Sequence, residues 1–185
     1  MLEDRVMDMR MHGGAQAHAA LIGGRKLSTR YDVVCRDKHG NVKWRDYIEN
    51  LVVTVGLNDS LDKHLKGSSY TAAWYCGLTD GTPSVAAGDT MGSHGGWTEV
   101  TDYDEANRQT LSFGEVAAGS VAASAVTFTI SSDDTTIGGA FMASDNTRGG
   151  STGTLYGGGA FTAGDKTLDD DDTLQVTITC TCSAS

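Results

Sequence analysis

From residue 173 to 181 the chain alternates. Leu174, Val176, Ile178 and Cys180 fall on one side of an extended strand, and Thr173, Gln175, Thr177, Thr179 and Thr181 on the other. A period of two sustained this long predicts a half-buried β-strand with one face against a core. Val126, Phe128 and Ile130 repeat the pattern against Thr127 and Thr129, and further β-prone runs lie at 71–78, 97–103, 108–113, 135–143 and 153–162. Short strands separated by Gly, Asp, Ser and Thr, with no helices between them, predict an antiparallel β-sandwich whose sheets each have one wet side.

Closer to the N-terminus, Thr29 to Asp37 is β-prone, and Val42, Trp44 and Ile48 alternate with Lys43, Arg45 and Tyr47. Around Lys38-His39-Gly40-Asn41 these two runs predict a hairpin over 29–49. Next, Leu51, Val55, Leu61 and Leu65 recur at near-helical spacing, with Leu57 four residues before Leu61. With Asn50 as N-cap and Gly67 as a stop, they predict one inserted helix over about 51–66, although the β-branched run Val52-Val53-Thr54-Val55 suits its first turn poorly. Residues 1–28 hold two Gly-Gly pairs and no period, and read as an extended arm, either a disordered terminus or a segment that orders on a neighbouring subunit with Leu21, Ile22 and Leu27 as anchors. The domain division is then an arm, 1–28, and a sandwich domain, 29–185, with its strands between 71 and 181. The glycine clusters 138–139, 149–150 and 157–159 are expected at bulges, corners and loops.

Composition narrows the function. The net charge of −10 is divided unevenly: residues 1–66 carry +2 and residues 67–185 carry −12. Nucleic-acid binding needs clustered cations, so no nucleic-acid partner is expected. No run of 18 apolar residues is present and no membrane span is expected, and the charged first ten residues do not read as a secretory leader. Cys35, Cys76, Cys180 and Cys182 read as reduced thiols.

No catalytic, cofactor or metal site is expected. The five histidines are scattered, and Cys180 with Cys182 lacks a second close pair for zinc. Asp169 to Asp172 reads as a solvated turn, with calcium held there or with Asp165 as the alternative. Ser93 and His94 are adjacent and would point to opposite faces. Glu99 with Asp102 or Glu105 has a spacing open to glycoside hydrolysis, but Trp44, Trp74 and Trp97 read as core or loop anchors rather than cleft aromatics. Trp74, Trp97, Glu99, Tyr103 and Arg108 form a set of structural loop anchors. Arg108 lies amid Glu99, Asp102, Asp104 and Glu105, and is expected either to pin its loop through a carboxylate or to stand exposed and contribute little.

The order Trp74-Tyr75-Cys76-Gly77-Leu78, Asp89-Thr90-Met91, Gly96-Trp97-Thr98-Glu99, Tyr103 and Asn107-Arg108 resembles virion structural proteins of tailed bacteriophages. Phe128, Ile137-Gly138-Gly139-Ala140-Phe141 and Asp172-Thr173-Leu174-Gln175-Val176 continue the resemblance, which spans roughly residues 31–181. It implies a jelly-roll-like domain in a non-enzymatic capsid decoration (cement) protein, located in the virion after assembly in the host cytoplasm. Such a protein would be a homotrimer bound to the major capsid protein or other virion proteins, with Leu21, Ile22, Leu27, Trp44 and Arg45 facing partners. The alternative is a tail-associated fibre, collar or baseplate protein with host-surface recognition by loops 79–96 and 144–159.

Overall fold

A computed structural model describes residues 25–70 and 73–184. The hairpin is present and longer than its sequence pattern. Strand β1 (Arg25–Arg36) pairs antiparallel with β2 (Val42–Val52). Asp37 closes the turn, its Oδ1 accepting from the backbone N–H of His39 and Asn41, while Gly40 takes a φ of 85° that glycine adopts freely. Residues 25–28, assigned above to the arm, are strand. Their partners are 181–184 of the last strand, β12 (Thr173–Ala184), which runs antiparallel to β1 from Arg25↔Ala184 to Arg36↔Thr173.

Two short strands lie on the far side of β12: Ser120–Ala122 (β6) and Val126–Thr129 (β7). The second sheet is centred on Gly139–Ala143 (β9), flanked by Leu155–Ala160 (β10) and Tyr75–Thr79 (β3). β3 also pairs with Glu99–Val100 (β4) and Gln109–Thr110 (β5). β2 joins the two sheets. It pairs with β1 as far as Asn50, then Leu51 and Val52 turn onto Gly158 and Gly157 of β10. Such a bend makes the corner of a sandwich-like fold. A separate pair, Thr135–Ile137 (β8) with Lys166–Leu168 (β11), sits beside it. The expected run 135–143 is thus two strands broken at Gly138, and β6 and β11 carry no pattern that the sequence reading detected.

Inward residues of both sheets make one core: Tyr31, Val33, Phe128, Leu174, Val176 and Ile178 from the first, Cys76, Leu78, Ala140 and Met142 from the second. The alternation in β12 and β7 therefore identified the buried face correctly. The second sheet departs from the one-wet-side expectation. Phe141 and Ala143, pointing away from the main core, are covered by Met91 and Trp97 of the 80–98 loop together with Val53 and Leu155. That loop supplies a second small core, and every residue of β9 is buried.

The glycines at 157–159 lie inside β10 and not in a loop, although the expected irregularity of the ladder is present between Leu155 and Gly157. A Cβ at Gly157 would meet the Leu51 carbonyl oxygen, and one at Gly159 would meet Ile48 Cγ2 at 2.7 Å. β10 is squeezed between β9 and the bend of β2, so its backbone approaches both too closely for a side chain.

The helix, α1 (Thr54–Leu65), starts three residues later than predicted. Leu51 and Val52 continue β2, as the β-branched Val52 favours, and Val53 rather than Asn50 occupies the cap position without a side-chain bond. The Asn50 amide instead donates to Thr29 Oγ1 and Tyr31 Oη in the interior. At the other end Gly67 takes the expected positive φ, 65°.

Candidate functional site

Four of the five predicted loop anchors meet at one end of the second sheet. Glu99 comes from β4, and Arg108 precedes β5. The guanidinium is 1% exposed and grips Glu99 bidentately, with Nε to Oε1 at 2.9 Å and Nη2 to Oε2 at 2.7 Å. Its remaining donors reach the carbonyls of Asp145 at 2.9 Å and Gly150 at 2.6 Å, and its carbon centre lies 5.1 Å from the Phe141 ring centroid. Glu99 Oε2 also accepts from the Gly149 backbone N–H. A fork meeting a carboxylate in this manner is the strong form of an ion pair. It ties β4, the approach to β5 and the 145–150 loop into one unit.

A second arginine braces the same region. Arg148 Nη1 donates to the carbonyls of Tyr103 and Glu105 and its carbon centre lies 4.9 Å from the Tyr103 ring centroid. Trp97 seals the neighbouring loop: it stacks on His94 at 3.8 Å, packs on Phe141 at 4.8 Å and donates from Nε1 to Asp89. Trp74 is not in this group. It meets Tyr156 edge-on at 5.3 Å and lines an apolar cleft of about 440 Å³ with Phe113, Val116 and Met142.

The candidates for chemistry are engaged elsewhere. Both oxygens of Glu99 are held by Arg108, and Glu105 accepts from the Thr129 backbone N–H and hydroxyl. His94 Nδ1 lies 3.1 Å from the Trp97 carbonyl oxygen. In the acidic run, Asp172 is buried and bound to Lys43 Nζ at 2.5 Å, a contact that raises the Lys43 pKa. Asp165 is not part of that cluster, and receives hydrogen bonds from the Thr82 backbone and hydroxyl instead. All four thiols are free. Burial, reinforced by the Asp172 charge, pushes Cys35 up to about 12, burial alone pushes Cys180 to about 11, and Cys76 rises further still. Burial thus disfavours the nucleophilic thiolate at these three. Among the described residues, no cluster of three or more His, Cys, Asp or Glu has metal-holding geometry.

Of the predicted partner-facing residues, Leu21 and Ile22 lie outside the described residues. Trp44 is half-buried on the core, edge-on to Phe161 at 5.6 Å, so its ring is largely an internal anchor. Arg45 beside it is exposed. Leu27 sits at the other end of the hairpin from both, about 25 Å away at the usual rise per strand residue.

The partner-facing residues named from the sequence leave out the outward face of α1. Its seat is Gly56, where a Cβ would strike the Tyr156 backbone. That close approach turns Leu57, Leu61 and Leu65 to solvent, at 37%, 56% and 71% exposure. Leu51, 42% exposed, continues the patch. The periodicity is visible in the chain; its direction depends on the contact of Gly56 with Tyr156, far away in sequence. No protein-family model and no curated protein matches the chain.

Proposed function

We propose that this protein is a non-enzymatic structural component of a tailed-phage particle, a capsid decoration protein that binds the major capsid protein lattice as a homotrimer and stabilises the head. The motif order from Trp74 to Val176 supports the class. The observation that carries the non-catalytic reading is the double arginine brace. Arg108 and Arg148 spend their donors on Glu99 and on main-chain carbonyls of two loops, so Glu99, the carboxylate that glycoside hydrolysis would call on, is already held on both oxygens by a buried cation. Charges committed to loop–loop bonds make a stiff body, which suits a protein repeated on a lattice.

The test is reconstitution. Full-length protein mixed with purified undecorated heads is expected to co-sediment at hundreds of copies per particle, and a Leu21→Asp, Ile22→Asp variant to lose that binding. Failure of the wild-type chain to bind heads, with only a handful of copies recovered from tails of intact particles, would replace this reading with the tail-associated one.

A further inference from the structure

The outward face of α1 combines a projection with a neighbouring hollow. Leu57, Leu61 and Leu65 form a ridge along the helix, rising in exposure toward its C-terminal end. Beside the ridge runs a groove of about 460 Å³ between the helix and the terminal ends of β1 and β12, lined by Leu27, Leu57, Ser60, Leu61, His64 and Cys182. Leu27 and Leu57 also line a second, more polar hollow that continues to Leu51 and Val52. The leucines thus form one continuous surface that includes both a projection and a depression.

We propose that this face is a contact between copies of this chain, the leucine ridge of one copy seated in the groove of a second. Three observations select a second copy as occupant. First, ridge and groove lie side by side on one molecule, so a rotation places each ridge in a neighbour's groove, and closure after two or three copies leaves neither exposed. Second, a stable interface buries roughly 800 Å² per partner, a little over half of it apolar, and a patch of four leucines at these exposures supplies apolar area on that scale. Third, charge restricts which faces can meet. The ionic groups around the leucines are mixed, with Lys26, Arg30, Lys63 and Lys66 against Glu49, Asp59 and Asp62, whereas residues 67–185 carry −12. Two copies approaching through their strongly acidic parts repel each other, and through this face they do not. The Asp62–Lys66 pair at 2.7 Å already neutralises one rim of the ridge.

This inference does not rest on the phage reading, since it needs only two copies of the chain. Its experiment is sedimentation velocity on the full-length protein over a concentration series reaching tens of micromolar, with far-UV circular dichroism and thermal melting as fold controls. The wild type is expected to sediment as a dimer or trimer. A Leu61→Asp, Leu65→Asp variant is expected to sediment as a monomer with the same far-UV spectrum, because both side chains are exposed in the single chain, and with a cooperative melt that no longer shifts with protein concentration. Maleimide labelling of Cys182, exposed in the groove, is expected to be at least tenfold slower in the wild type than in that variant. A wild type that stays monomeric throughout, or an oligomer that survives the double substitution, would overturn the proposal. So would dissociation caused by Leu21→Asp, Ile22→Asp, which would give the groove to the preceding segment of the chain. Loss of head binding without loss of self-association leaves this inference standing and removes only the capsid reading.

Discussion

Arg108 shows how much one residue can hold. It is the first cation after Lys66, set among four acids, a placement that suggests a pairing with one of them and equally allows an exposed side chain. Which acid, and the two carbonyls of the 145–150 loop, did not follow, because Glu99 nears Arg108 only when β4 and β5 both pair with β3, and the loop after β9 reaches them only when β9 pairs with β3. Removing the guanidinium leaves Glu99, itself nearly buried, without its counter-charge. Arg108→Met is expected to destabilise the fold by about 3–5 kcal/mol in urea unfolding monitored by tryptophan fluorescence. Arg108→Lys is expected to recover only a minor part of that, since an ammonium cannot bridge both carboxylate oxygens and two carbonyls in one plane. A loss under about 1 kcal/mol for the Met variant would show that the brace is dispensable.

At the scale of elements, α1 is the instructive case. Its apolar positions are spaced as on any amphipathic helix, and such a stripe ordinarily faces the core. Here the seat is instead the backbone of β10, reached because Gly56 has no Cβ. Gly56→Ala would raise intrinsic helix propensity by about 1 kcal/mol. It is nonetheless expected to lower stability by roughly 1–3 kcal/mol, because the new methyl meets the Tyr156 carbonyl and forces the helix outward. The melting temperature reads the sign directly; an increase would mean that the seat yields at little cost. The strands follow the reverse logic. Those with alternating patterns were found where they are, whereas β6 and β11, three residues each, owe their form to neighbours: β6 to β12, β11 to β8.

For the molecule as a whole, the hydrogen-bonded carboxylates set the response to acid. The Asp46 pKa is affected first by its burial, which opposes ionisation. Hydrogen bonds from Thr162, Tyr47 and Ala163 and the Lys166 ammonium outweigh that and hold it below the usual 3.8. Asp37, Asp145 and Asp165 are lowered as well, by bonds from Asn41, Thr147 and Thr82 respectively. A carboxylate with a lower pKa folded than unfolded binds fewer protons in the native state, so its stabilisation is complete above the unfolded value and disappears as pH falls through the folded one. The urea midpoint is therefore expected to fall steeply below about pH 4. Thr162→Val, which removes one bond to Asp46, should make the fall shallower. An acid transition identical in that variant would remove Asp46 from the account.

Alternation of side chains is a local property of an extended backbone. Leu174 to Ile178 and Val126 to Ile130 therefore declared both their strands and their buried faces without reference to the rest of the chain, and the hairpin turn at Asp37 to Asn41 did the same through its own hydrogen bonds. The bend of β2 onto β10, the glycines inside β10, the second core under the 80–98 loop and the outward leucines of α1 all depend on contacts between segments far apart in sequence. Tertiary structure alone decided these, because whether a backbone must pass within reach of another, and which side of a helix is then left to solvent, is set by the neighbour and not by the residue.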